Sequence, residues 1–129
     1  MASFGKIYIS GKISGIESIA PALFEQAEMK LIALGWEVIN PTTIKHIDLD
    51  SWIGCMKTDI IELMKCDSIF MLSNWETSKG AIIELKLAAD LGMKIMYEEE
   101  PKLNIDAVQS EMPGFKDTLD ALAEITIRK

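Results

Sequence analysis

Apolar and polar positions along this chain alternate between two periods. Lys6 to Ser10 (KIYIS) is a short β-rich run that stops at Gly11-Lys12-Ile13-Ser14-Gly15, so a strand feeds a glycine loop. From about Ala20 to Leu34 the apolar residues Leu23, Phe24, Ala27, Leu31 and Leu34 recur at helical spacing, and Gly35 supplies the stop. Trp36 to Ile39 (WEVI) predicts a second strand, broken by Asn40-Pro41-Thr42-Thr43. A second helical pattern runs from about Asp50 to Lys65, started by the Asp50-Ser51 cluster. A third strand follows at Ser68 to Leu72. Ser78 can cap a third helix over Lys79 to Leu91, closed by Gly92, and Lys94 to Tyr97 (KIMY) makes a fourth strand. Beyond Pro101 the pattern is weaker, with a helix expected from about Phe115 to Ala123 and a short last strand at Ile125 to Ile127.

Strands alternating with helices imply right-handed crossovers and a parallel sheet covered on both faces. The expectation is an α/β, Rossmann-like or flavodoxin-like three-layer domain with about five strands, one domain over residues 1–129. In such sheets ligands bind beyond the carboxyl ends of the strands, where strand order reverses. Three loops leave strand ends here, Gly11 to Gly15, Asn40 to Thr43 and Ser73 to Ser78, and chemistry is to be sought there.

Composition narrows the picture modestly. With 129 residues and 49% hydrophobic content the chain can bury one core. No run approaches the roughly 20 apolar residues of a membrane span, and no secretory leader pattern opens the sequence, so a cytoplasmic protein away from membranes is expected. A net charge of −7 argues against binding nucleic-acid polymers, which need clustered Lys and Arg. Small anions stay possible, since one helix N-terminus with a lysine can hold a phosphate. Cys55 and Cys66 have no CxxC spacing and His46 is the sole histidine, so no metal site is expected and the cysteines read as reduced core residues.

One residue stands out of pattern. On the third helix Ala81, Glu84, Leu85, Ala88 and Leu91 share a face, while Lys79, Lys86 and Asp90 lie on another. A carboxylate on the apolar stripe must be paired, protonated or used, unless it bends outward to a lysine at the core edge. Asp59 makes a weaker case beside Trp52, Met56 and Leu63, because Glu62 is also near. Tyr8 alone reads as an ordinary core tyrosine. The glycine loop is neither a Walker A loop nor a dinucleotide GxGxxG, and Ser78-Lys79-Gly80 reads either as an anion site at a helix start or as a plain cap. His46 reads as an exposed loop residue without a partner. Trp52, Trp75 and the eight methionines read as core or pocket wall.

Taken together, Tyr8 with its glycine loop, Asp59 eight residues before Asp67, and Ser78-x-Gly80-x-x-x-Glu84 resemble the nucleoside 2-deoxyribosyltransferase family over about residues 6 to 97. The spacing is closest to the branch that hydrolyses 2'-deoxynucleoside 5'-monophosphates, where a serine stands six residues before the nucleophilic glutamate. CDSIFMLSNWETSKGAIIELKLA also looks like bacterial and phage domains of unknown function grouped near that family. The resemblance implies Glu84 as nucleophile, Tyr8 as the hydroxyl that orients it, and Asp59 as the acid protonating the departing base. It places Gly11, Lys12, Ser14, Ser78 and Gly80 around the sugar's 5' end. The chain departs from the hydrolase branch there, with Ser14 in place of an arginine and Lys12 in place of a serine. Family members complete each pocket with a neighbour's Ser-x-Met or Asn-x-Met, which Ser110-Glu111-Met112 matches, so a homodimer or larger homo-oligomer with shared sites is implied.

The expected function is therefore cleavage of the N-glycosidic bond of a 2'-deoxynucleoside or its 5'-monophosphate through a covalent deoxyribosyl-Glu84 ester, with no cofactor. Water resolves the ester in a hydrolase and a second base in a transferase, and Ser78 leans towards the hydrolase. Two rivals stand beside it: a non-catalytic nucleotide-binding module of the same fold, and an accessory protein acting through its surface.

Overall fold

The computed structural model describes residues 4–46 and 50–99. Four strands, β1 (Lys6–Ser10), β2 (Glu37–Ile39), β3 (Ser68–Met71) and β4 (Lys94–Tyr97), alternate with three helices, α1 (Ala20–Leu34), α2 (Trp52–Leu63) and α3 (Lys79–Asp90). The strands form one parallel sheet in the order β2-β1-β3-β4, with Tyr8 opposite Ile39 on one side and Ile69 on the other. Strand order thus reverses at β1 and β3. The described residues supply four of the roughly five expected strands; the strand at 125–127 and the helix at 115–123 fall outside them.

Two-residue alternation along β1 sorts its side chains into two cores. Ile7 and Ile9 pack with Phe24, Ala27 and Leu31 of α1, whereas Tyr8 packs with Ile69, Met71, Leu85 and Ala88 beneath α2 and α3. Helices therefore cover both faces. Each fully buried Ile, Leu, Met or Phe side chain among these contributes about 1.5–3 kcal/mol by leaving water.

Local chemistry sets the element ends. Gly35, at φ 104°, lets α1 close with Gly35 N–H donating to Ile32 and Trp36 N–H to Leu31. That use of the Trp36 amide explains why β2 starts at Glu37, one residue later than its sequence suggests. Ser51 Oγ accepts from Gly54 N–H at 2.9 Å, so α2 begins after this cap and spans less than the expected Asp50 to Lys65. Leu72 leaves the end of β3 to pack against α1, although its N–H still donates to Ser10.

Candidate active site

The carboxyl ends of β1 and β3 open into a cavity of about 1080 Å³ walled by α1, α2, the start of α3 and the loop after β2. Its volume suits a ligand of nucleotide size. Ile13, Phe24, Trp52 and Met56 give it apolar walls, and Tyr8, Asp59 and Glu84 supply polar groups.

Glu84 is where the apolar stripe of α3 places it. The helix must turn Ala81, Leu85 and Ala88 onto the sheet, and Glu84 goes with them, 4% exposed. Its carboxylate is met from β1 by two hydroxyls: Tyr8 donates to Oε2 and Ser10 donates to Oε1, each at 2.7 Å. Burial pushes the Glu84 carboxyl up to about 8; the two hydroxyl bonds pull the other way, and the charge of Asp59 adds to the rise. Tyr8 is pushed well above its ordinary value by burial and then by the Glu84 and Asp59 carboxylates, so its phenol keeps its proton and donates.

Asp59, on α2, is also buried, and burial raises its carboxyl above the usual range. The opposing pull comes from His46, whose Nε2 lies 2.7 Å from Asp59 Oδ1, the two side chains being 10% and 11% exposed. The expectation of an exposed, partnerless His46 is therefore overturned. The loop after β2 brings it back over α2, a path that the sequence around His46 does not announce.

The expected 5' region is only partly assembled at the cavity. Gly11, Ser14, Ser78 and Gly80 line it. Gly11 is required by packing, because a Cβ there would sit 2.6 Å from Leu72 Cδ1. Gly80 allows α2 close to α3, a Cβ there meeting Met56 Sδ at 3.0 Å. Ser78 Oγ accepts from Ala81 N–H at 3.1 Å, so its hydroxyl serves as the N-cap of α3. Lys12 is turned aside: its N–H donates to Asn74 Oδ1 and its ammonium reaches Thr77 Oγ1 at 3.4 Å. Lys79 lines the cavity with its ammonium 5.1 Å from the centre of the Trp52 ring. Ser110 and Met112 lie outside the described residues.

Ser10 was not singled out by sequence, although a signal existed: two residues beyond Tyr8 on one strand, it had to share Tyr8's face. Cys55 lines the cavity, while Cys66 packs at the core edge with its thiol pushed up to about 11 by burial. Neither is in a disulfide and neither is fully buried. Among the described residues, no cluster of three potential metal ligands occurs and no helix is long and apolar enough to cross a membrane.

Comparison with known proteins bears on this geometry. The chain is similar to a solved 2-deoxyribosyltransferase from the psychrotolerant bacterium Bacillus psychrosaccharolyticus, with 21% identity and a TM-score of 0.58 over 82% of this chain and 81% of that one. That protein is described as a biocatalyst for synthesis of antiviral and antitumoral nucleosides. A conserved protein from Enterococcus faecalis V583 is similar at 12% identity and a TM-score of 0.55, over 88% of this chain and 77% of that one. No curated protein matches. The sequence pattern described as Domain of unknown function (DUF4406) matches residues 5–97, from the foot of β1 to the end of β4. Since that match takes in the whole described sheet together with Tyr8, Asp59 and Glu84, the chain belongs to the DUF4406 family, and its fold is like that of the solved 2-deoxyribosyltransferase.

Proposed function

We propose that the protein cleaves the N-glycosidic bond of a 2'-deoxynucleoside or its 5'-monophosphate, with Glu84 as nucleophile, Tyr8 orienting it and Asp59 protonating the leaving base. The observation that carries this reading is a buried carboxylate at a cavity, gripped by two hydroxyls, with a second buried carboxyl, that of Asp59, lining the same cavity. Two carboxyl groups in unlike surroundings are what displacement at a sugar carbon needs, one to bond carbon and one to supply a proton.

In the first step Glu84 Oε2 bonds to C1' as the C1'–N bond breaks, and the electron pair leaves with the base, which takes a proton from Asp59. In the second, water or another base attacks C1', Asp59 accepts the proton released, and the Oε2–C1' pair returns to Glu84. The reactive arrangement has Glu84 ionised and Asp59 protonated, so the coupled pair must share one proton. His46 holds Asp59 in one orientation and can pass it a proton from solvent.

The 5' end of the substrate is assigned to Gly11, Ser14, Ser78 and Gly80, which line one side of the cavity, with Lys12 close behind. A homodimer in which Ser110 and Met112 of one copy complete the other's site belongs to the same reading, as does action without a metal or organic cofactor.

The test is incubation of purified protein with 2'-deoxynucleosides and their 5'-monophosphates, with and without a free acceptor base, followed by chromatography of released base. Release without acceptor identifies a hydrolase, and exchange only with acceptor a transferase. Nucleotide binding by calorimetry with no release from any substrate would replace the enzyme by a binding module.

A further inference from the structure

We propose that Ser10 is a positioning residue for the nucleophile, holding the Glu84 carboxylate so that Oε2 alone faces the sugar carbon while Oε1 stays anchored in the core. The inference rests on the reading of Glu84 as nucleophile and goes beyond it by naming the attacking oxygen and the group that selects it.

The geometry is asymmetric in a way that matters. Tyr8 and Glu84 both line the cavity, whereas Ser10 does not and is 1% exposed. On this lining the oxygen bonded to Tyr8, whose donor shares the cavity wall, is assigned to the sugar carbon, and the oxygen bonded to Ser10, whose donor does not, is assigned to the anchor. One hydroxyl would leave the carboxylate free to rotate about its last bond, presenting either oxygen. Two donors, fixed two residues apart on a central strand paired on both sides, remove that freedom before substrate arrives.

The Ser10 bond can also persist through both steps. When Oε2 bonds to C1', Oε1 becomes the carbonyl oxygen of the ester and still accepts from Ser10. When the ester is resolved, negative charge returns to the carboxylate, and the same hydroxyl stabilises it without reorganisation. Ser10 touches neither sugar nor base. Its removal should alter the chemical steps and leave substrate affinity nearly untouched. The hydroxyl bond also favours the ionised carboxyl, so its loss moves the ionisation of Glu84 to higher pH.

Ser10→Ala and the near-isosteric Ser10→Cys test this, with melting curves confirming that each is folded. At pH 7 Ser10→Ala should lower kcat about 10- to 100-fold with KM within about twofold, and the ascending limb of its pH profile should move upward. Ser10→Cys, a weaker donor, should fall between alanine and wild type. An unchanged kcat and ascending limb in Ser10→Ala overturns the proposal, as does an effect confined to KM. An infrared titration of the Glu84 carboxyl, with Glu84→Gln as the blank, reads the same contact without turnover: the Ser10→Ala band should titrate at higher pH, and identical titration overturns the role. Wild-type protein that releases no base would instead sink the glycosidic reading itself, whatever the infrared result shows for Ser10.

Discussion

His46 Nε2 lies 2.7 Å from Asp59 Oδ1, joining the loop after β2 to the middle of α2 at the cavity wall. Removing the imidazole would leave a buried carboxyl without that partner. It would also let burial raise the proton affinity of Asp59 further, since His46 is the group that lowers it. Asp59→Asn keeps the shape and removes the transferable proton, so base release should fall about 10²- to 10⁴-fold. His46→Ala should cost about tenfold through orientation of Asp59. Because the two act as one unit, the double variant should be no slower than Asp59→Asn alone, and additive losses would separate them. Steady-state kinetics of the three variants decides this.

Glu84 links pH to stability with a definite sign. Its carboxyl is pushed from an ordinary 4.5 to about 8 in the folded protein, so between those values the folded state binds more protons than the unfolded one. Its contribution to stability is fully present below about 4.5 and is lost as pH rises through about 8. Glu84→Gln removes this titration, and its amide can be met by hydroxyls that rotate to donate or accept. The variant should lose on the order of 10³-fold or more in base release. Its melting temperature should gain on wild type from pH 5 to about pH 8 and the gap should level off above that. A constant gap across that range would place the titration elsewhere.

Much of this site was legible because it follows from periodicity. The stripe of α3 forces Glu84 onto the sheet, and the alternation of β1 forces Tyr8 to the same side, so their meeting needs only the correct strand order. Ser10 obeys the same alternation as Tyr8, yet a small polar residue next to a glycine loop also fits the end of a strand. His46 was not legible: its contact with Asp59 depends on the course of a loop containing Pro41 and a capped 3-10 turn, which no short-range pattern encodes. Lys12 marks a different limit. Sequence placed it in the correct loop, but the side chain's direction is set by Thr77, which arrives from the loop after β3. The helix and strand expected after Pro101, and Ser110 with Met112, lie outside the described residues.

The two glycines at the cavity should respond differently to alanine. At Gly11 the new Cβ would meet Leu72 Cδ1 at 2.6 Å and Leu72 Cβ at 2.9 Å, and Leu72 is packed beneath α1 with little room to yield. Gly11→Ala should destabilise the fold by about 1–3 kcal/mol. At Gly80 the nearest atom is Met56 Sδ at 3.0 Å, part of a flexible side chain on the cavity wall. Gly80→Ala can be absorbed by a Met56 rotamer change, and alanine suits a helix better than glycine, so its cost should stay below about 1 kcal/mol. Its effect should appear in KM, because the displaced thioether narrows the cavity. Urea denaturation together with substrate titration separates the two outcomes.

Ser78 carries two possible roles that one substitution can pull apart. Its hydroxyl caps α3 by accepting from Ala81 N–H, and Ser78→Ala should cost about 1 kcal/mol of stability for that reason alone. Ser78→Asp retains a cap at the same helix start while adding a negative charge to the side of the cavity assigned to the sugar's 5' end. If that side receives a 5'-phosphate, Ser78→Asp should keep near wild-type stability yet raise KM for monophosphates tenfold or more, with KM for unphosphorylated deoxynucleosides changing little. If the 5' end lies elsewhere in the cavity, both kinds of substrate should respond alike, because only at this side would the aspartate accept a hydrogen bond from a 5'-hydroxyl and repel a 5'-phosphate. The ratio of the two KM values in Ser78→Asp against wild type therefore reports whether the 5' end of the substrate sits at the start of α3.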